Sequence, residues 1–304
     1  RKVQDGELKL LVYGVVAAAN IDPIEKKPMF HFLPQSKALS IGTVGCNFSC
    51  KFCQNHTISQ YPKEHNHNIF GDKYSPEDIV NAALENSCES IAYTYNEPIV
   101  FFEYTYDIAK LAHKNNIKNI YVTSGYETHK AIDLLAPYLD AMNIDLKSFS
   151  DKFYQELCGA KLKPVLECIK YAYEKGIWCE ITTLLIPGKN DSDEEISKIG
   201  QFIYDIDPTI PWHLSAFHPT YKMQDISNTP SSTLYRAYKI ATRIGLKYVY
   251  VGNIDDEDYE STYCPNCKDK VINRSGHIGQ HVINKLDKNG CCKNCNYQLD
   301  GIWN

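Results

Sequence analysis

The stretch that most constrains this chain is Gly42–Thr43–Val44–Gly45–Cys46–Asn47–Phe48–Ser49–Cys50–Lys51–Phe52–Cys53–Gln54–Asn55. Three cysteines stand in a CxxxCxxC pattern directly after an apolar, strand-like run at residues 38–44. Cysteine thiolates are the usual protein ligands of iron–sulfur clusters. A cubane has four irons, so three cysteines leave one iron open, and an open metal position is where a substrate or cofactor binds. Structural zinc usually takes four ligands, often as two CxxC pairs. Isolated buried cysteines behave as small apolar residues. The spacing, with an aromatic just before the third cysteine, favours a cluster loop over both.

At 304 residues the chain has room for one large α/β domain and a small appendage. Hydrophobic residues at 43% supply a core, and charged residues at 23% mark a globular chain. A net charge of −5 argues against a broad nucleic-acid footprint. Twelve cysteines could suggest a disulfide scaffold. Seven of them fall into metal-ligand spacings, however, and a chain of this size needs no disulfide staples. A reducing cytoplasm is expected. Residues 10–19 imitate a targeting signal, but Asp5 and Glu7 occupy the supposed positive region, so two strands turning at Gly14 are expected instead. No apolar run is long enough to span a membrane. The first residue is not methionine, which leaves room for a segment upstream of Arg1.

From Ser75–Pro76–Glu77–Asp78, a helix-start signal, a repeating pattern sets in. Strand runs at 90–95, 119–123, 141–146, 178–186 and 212–217 alternate with helical runs at 99–114, 128–135, 151–175, 193–204 and 231–244. A last strand at 248–251 closes the series. Such alternation implies a parallel sheet with right-handed crossovers. With the strand before the cysteine loop this gives six strand–helix units, so a partial TIM-like (β/α)6 barrel is expected. A doubly wound sheet is the alternative. Unusual polar groups follow the strands: Cys46–Cys53, Asn96–Glu97–Pro98, Ser124–Gly125, Asp145–Leu146–Lys147, Asn190–Asp191 and His218–Pro219. Each alone is ordinary turn chemistry. Together they mark the C-terminal strand ends, where barrel active sites gather.

After residue 251 the composition changes. Asp255–Asp256–Glu257–Asp258 reads as a solvated linker. Cys264, Cys267, Cys292 and Cys295 form two CxxC knuckles, a zinc-ribbon-like four-thiolate metal site. Cys291 allows a register one residue earlier, and Cys292 is preferred because it keeps the CxxC. Zinc is the usual ion, with rubredoxin-type iron or a second iron–sulfur cluster as alternatives. The expected organisation is residues 1–37 as N-terminal strands and connector, 38–254 as the barrel, and 255–304 as linker and metal-binding tail.

An open iron can hold S-adenosylmethionine by its amino and carboxylate groups and pass an electron to the sulfonium, giving methionine and a 5′-deoxyadenosyl radical. The cofactors then carry the hard chemistry and the protein positions them. Glu97, beside Asn96, would accept from the methionine ammonium, and Lys147 would meet its carboxylate. Ser124 and Asp145 are candidates for the ribose, Phe52 for the adenine, and His218 for the ribose or the substrate.

The CxxxCxxC loop with Phe52 before its last cysteine resembles the radical SAM superfamily. Asn96–Glu97–Pro98 is similar to its Gly-Gly-Glu motif, and Asp145–Leu146–Lys147 with His218 resembles the pyruvate formate-lyase activating branch. Tyr13–Gly14, Asp22–Pro23–Ile24–Glu25–Lys26–Lys27–Pro28, His31–Phe32–Leu33–Pro34, the residues leading into Phe48, Tyr263–Cys264–Pro265–Asn266–Cys267 and Gly301–Ile302–Trp303 resemble the radical SAM component of the AmmeMemoRadiSam system. The resemblance covers nearly the whole chain. It implies a [4Fe–4S] cluster bound by Cys46, Cys50 and Cys53, S-adenosylmethionine, oxygen-sensitive chemistry, and an electron donor such as flavodoxin or ferredoxin. It also implies Memo-like and AMMECR-like partners. Val122 and Ser124 depart from the Asp-Thr-Asn-Gly of the activating branch, which counts against its cation site and against glycyl-radical activation. Two alternatives to hydrogen abstraction from a small molecule or peptide stay open: a glycyl-radical activase, and a metal-stabilised RNA- or protein-binding module.

Overall fold

In the computed structural model, which describes residues 1–276 and 281–304, one eight-stranded sheet organises the chain. Its order runs from Val249–Gly252 through Trp212–Ala216, Trp178–Leu185, Ala141–Asp145, Lys118–Thr123 and Ser90–Tyr93 to Lys37–Gly42, all parallel. Ala18–Pro23 adds an antiparallel edge strand. The two edge strands do not pair with each other, so the sheet is open.

The sheet nevertheless curls. His31, on the segment leaving one edge strand, hydrogen-bonds Tyr250 Oη on the opposite edge strand at 2.5 Å. Side chains alternate across the strands as pleating requires. Ile91, Tyr121, Ile144, Ile181, Leu214 and Val251 face outward into a core shared with the helices. Asn143, Glu180, Thr182, His213 and Tyr250 face inward. The helices begin where their caps dictate. Ser75 and Asp78 close a reciprocal capping box ahead of Pro76–Glu85, and Thr128 and Ser192 cap the helices His129–Leu135 and Asp193–Ile206. This is the expected partial barrel, and the doubly wound sheet is set aside.

One expectation is corrected. The opening does not form a hairpin at Gly14. Lys2–Gln4 pairs with Glu7–Lys9, Val15–Val16 pairs with Asp72–Lys73, and Ala18–Pro23 joins the main sheet. Each short strand pairs where a partner edge is available. Of residues 1–37, expected as N-terminal strands and connector, Ala18–Pro23 is a strand of the main sheet. Residues 24–36 cross beneath the barrel and close its floor, with Ile24, Met29 and Phe32 fully buried. The helical runs expected over 151–175 are a short turn at Asp151–Phe153, a π-helical turn at Tyr154–Cys158, and a helix at Leu162–Glu174.

The tail is a three-stranded antiparallel sheet of Thr262–Tyr263, Lys270–Ser275 and His281–Asn284. It packs against Tyr248 and Tyr250 of the barrel edge and against Phe30 of the floor. No helix among the described residues is long and apolar enough to cross a membrane.

Candidate active site

The cysteine loop is fixed by its neighbours. At Gly42 the strand runs so close to the next turn that a Cβ would lie 2.7 Å from Thr94 O. Asn96 then brackets the loop entry: its Oδ1 accepts from Thr43 N at 3.1 Å, and its Nδ2 donates to Thr43 Oγ1 at 3.0 Å and Gly45 O at 2.8 Å. On the far side the π-helical turn presents its carbonyls. Ser49 N donates to Cys158 O and Lys51 N to Leu157 O, both at 2.8 Å. Phe48 is buried edge-on against Tyr126. Asn96, expected among the cofactor contacts, thus has a visible loop-holding role. Phe52 is buried with its ring tilted against Phe153, whose ring centroid lies 5.9 Å away.

Cys46, Cys50 and Cys53 are free thiols on this loop. Burial, with the nearby Glu97 charge, pushes the Cys46 thiol up. The neighbouring Cys158 thiol and burial raise Cys50, while Lys147 pulls it down. Burial raises Cys53, with Ser59 Oγ 3.1 Å from its sulfur. Among the described residues, the C-terminal cysteines are the group whose ligand atoms gather within 4.8 Å of one another. Three thiols match a cubane with one open iron, whereas a structural zinc takes four protein ligands.

Glu97 and Lys147 flank the loop. Glu97 is buried, and its Oε2 accepts from Ser124 N at 2.8 Å. Thr123 Oγ1 lies 2.7 Å from both Glu97 Oε1 and Glu127 Oε1. Burial and the Glu127 charge push Glu97 up to about 8. Lys147 Nζ bonds Asp145 Oδ2 at 2.7 Å, and the two rest on opposite footings: Lys147 is buried and Asp145 is about a third exposed. Asp145, Cys50 and Cys158 together hold the Lys147 ammonium charged against the cost of its burial. Ser124 is half-buried at the same mouth. His218 is exposed and lines a cavity of about 550 Å³ together with Gln54, the residue after Cys53. The structure therefore brings the loop cysteines together with Glu97, Ser124, Asp145, Lys147 and His218 at one end of the barrel.

The tail thiols form a second centre. Cys264 and Cys295 sulfurs are 3.6 Å apart, and Cys267 and Cys292 sulfurs 3.7 Å apart. Zn–S bonds of about 2.3 Å at tetrahedral angles place sulfurs about 3.8 Å apart. The four fit one tetrahedral ion. Cys292 faces the site and Cys291 does not; Cys291 pairs in a bridge with Gln298.

One polar centre was missed in the sequence. Glu180 is fully buried on the inner face, accepting from Phe30 N at 2.9 Å, His31 N at 2.8 Å and Trp178 Nε1 at 3.2 Å, with His213 Nε2 at 2.6 Å. An acid inside the mostly buried Trp178–Leu185 strand was the signal that could have found it.

Residues 40–199 match the Radical SAM superfamily. The chain belongs to this superfamily and is a radical SAM enzyme. Membership implies a [4Fe–4S] cluster and S-adenosylmethionine. It is 42% identical over 298 residues to an uncharacterized protein of Methanocaldococcus jannaschii, covering 97% of this chain and 87% of that one. It is 23% identical over 225 residues to the pyruvate formate-lyase 1-activating enzyme of Escherichia coli, covering 68% and 89%. A radical SAM methyltransferase from Sphaerobacter thermophilus shares the fold with a TM-score of 0.57 at 18% identity, covering 73% of this chain and 67% of that one. Streptococcus suis SuiB bound to S-adenosylmethionine does so with 0.56 at 16%, covering 76% and 53%.

Proposed function

We propose that this chain generates a 5′-deoxyadenosyl radical to abstract hydrogen from a small-molecule or peptide substrate, as the radical SAM component of an AmmeMemoRadiSam system. Bound at Cys46, Cys50 and Cys53, a reduced cluster with S-adenosylmethionine supplies the one-electron cleavage of the carbon–sulfur bond. Glu97, beside Cys46, offers acceptor lone pairs to the methionine ammonium. Lys147, beside Cys50, offers an ammonium to the carboxylate. Ser124 and Asp145 serve the ribose, and His218 covers the mouth. An external one-electron donor, of flavodoxin or ferredoxin type, and Memo-like and AMMECR-like partners complete the system in a reducing cytoplasm. The tail thiolates hold a structural zinc.

The observation that carries this reading is a three-cysteine loop with a buried acid, Glu97, near Cys46 and a buried cation, Lys147, near Cys50. The test is anaerobic reconstitution and reduction, followed by assay for 5′-deoxyadenosine. Its formation is expected, and its absence from loaded, reduced protein overturns the reading. The likeness to activating enzymes supports a second reading, glycyl-radical activation. A glycyl-radical signal on a co-expressed partner would favour it.

A further inference from the structure

The three loop sulfurs differ in what lies beside them. Cys46 Sγ accepts from Phe48 N at 3.3 Å, a contact internal to the loop. Cys53 Sγ lies 3.1 Å from Ser59 Oγ, a buried hydroxyl on the short helix His56–Ser59 that follows the loop. Gln60 Nε2 donates to the same Ser59 oxygen at 3.4 Å, which leaves the Ser59 proton for another acceptor.

Cys50 has its neighbour on the π-helical turn. Ser49 N bonds Cys158 O and Lys51 N bonds Leu157 O, so the residues on both sides of Cys50 are pinned to that turn. The Cys158 side chain is fully buried, beside the Cys50 sulfur and the Lys147 ammonium. Two other buried thiols, Cys168 and Cys179, donate to Glu127 Oε2 and Ile177 O at 3.3 Å, whereas Cys158 faces a sulfur.

An iron-bound thiolate carries no proton and can only accept, so Ser59 and Cys158 are the donors once the loop holds its cluster. Hydrogen bonds to ligand sulfurs raise a cluster's reduction potential, because they strengthen as the cluster gains negative charge. Building on the radical SAM reading above, we propose that Ser59 and Cys158 set the potential of the cluster by donating to the sulfurs of Cys53 and Cys50. Both act through the ligands and touch no substrate. A hydroxyl is the stronger donor and a thiol the weaker, so the larger share belongs to Ser59.

The test is an EPR-monitored redox titration of reconstituted protein without S-adenosylmethionine. Ser59→Ala should lower the reduced-to-oxidised ratio at a fixed poise about three- to tenfold, a downward shift of about 30–60 mV at 59 mV per tenfold for one electron. Cys158→Ala should lower that ratio about two- to threefold, and the double variant further than either. Ser59→Thr and Cys158→Ser keep a donor and should stay near the wild type. Iron and sulfide content and circular dichroism check loading and fold, which a merely structural role would move in place of the potential. Cys158→Val, slightly larger than the thiol, stands in if the alanine variant does not fold. Unchanged potentials in the variants without a donor, or equal falls in Ser59→Thr and Cys158→Ser, would overturn the proposal. A folded Cys158→Ala protein that cannot hold the cluster would make Cys158 a ligand and overturn its assignment as a donor. Deoxyadenosine formation by the wild type under a strong chemical reductant separates the two ideas. Cleavage with unshifted potentials removes only the tuning role, and shifted potentials without cleavage keep the donors and remove the reading beneath them.

Discussion

The Thr123 hydroxyl touches two carboxyl groups but owns one proton. One of its contacts with Glu97 and Glu127 is therefore made by a protonated acid, and burial raises both acids accordingly. The sign of the pH effect follows. A carboxyl raised in the folded state stabilises most below its unfolded value and loses that contribution as pH climbs through the folded value, here from about 4.5 towards about 8. Metal-free protein should melt at progressively lower temperature across that window, and Glu97→Gln should flatten the slope; an unchanged slope would place the proton elsewhere. Lys147 makes a second residue-level prediction. Removing a charge-assisted contact costs about 1.5–3 kcal/mol, so Lys147→Met should weaken S-adenosylmethionine binding roughly ten- to a hundredfold by equilibrium dialysis of reconstituted protein. Unaltered affinity would make the Asp145–Lys147 pair structural. The position of the cysteine loop and of Glu97 after parallel strands was legible, because the CxxxCxxC spacing and the strand periodicity are local. The Asn96 bracket and the Phe52–Phe153 contact were not, because both depend on which elements meet.

Most strands and helices were readable because their apolar periodicity and caps are local. The π-helical turn was not, since Tyr154–Gln155–Glu156–Leu157–Cys158 carries nothing that forbids an α-helix. Its departure from regularity comes from outside: the widened turn aims two carbonyls at Ser49 N and Lys51 N. Gly159 ends it with φ +65°, and a Cβ there would sit 3.4 Å from Ser49 Cβ. Gly159→Ala should cost about 1–2 kcal/mol for the left-handed backbone and loosen the loop's grip. Chemical denaturation checks the first effect, and iron and sulfide retained after gel filtration checks the second. Full cluster retention with the stability cost present would show that the turn supports the fold and not the loop.

At the scale of the molecule, the four-cysteine tail is continuous with the barrel floor. Arg274 of the tail is fully buried, donates to Phe30 O at 2.7 Å and to Thr262 Oγ1 at 2.9 Å, and stacks 4.0 Å from the Phe30 ring centroid. Leu33 N donates to Ile302 O, and Ile302 N to His31 O. In the sequence the acidic Asp255–Asp258 marks a linker between barrel and tail, while partners such as Phe30 and Arg274 lie too far apart in the chain to be paired from local pattern. A small metal module is held together by its ion, so losing the ion should release Arg274 and unseat the floor. Breaking the buried charge pair from one side should cost about 3–5 kcal/mol in Arg274→Met, because Glu25 is left buried and unpaired. Adding Glu25→Gln should recover part of that cost. Hydrogen exchange reads the larger claim. After chelation of the tail metal, residues 29–36 should lose amide protection together with Lys270–Ser275, while the outer helix Asp193–Ile206 keeps its own. If the tail exchanges freely and the floor stays protected, the two are independent, and the barrel closes its floor without the metal.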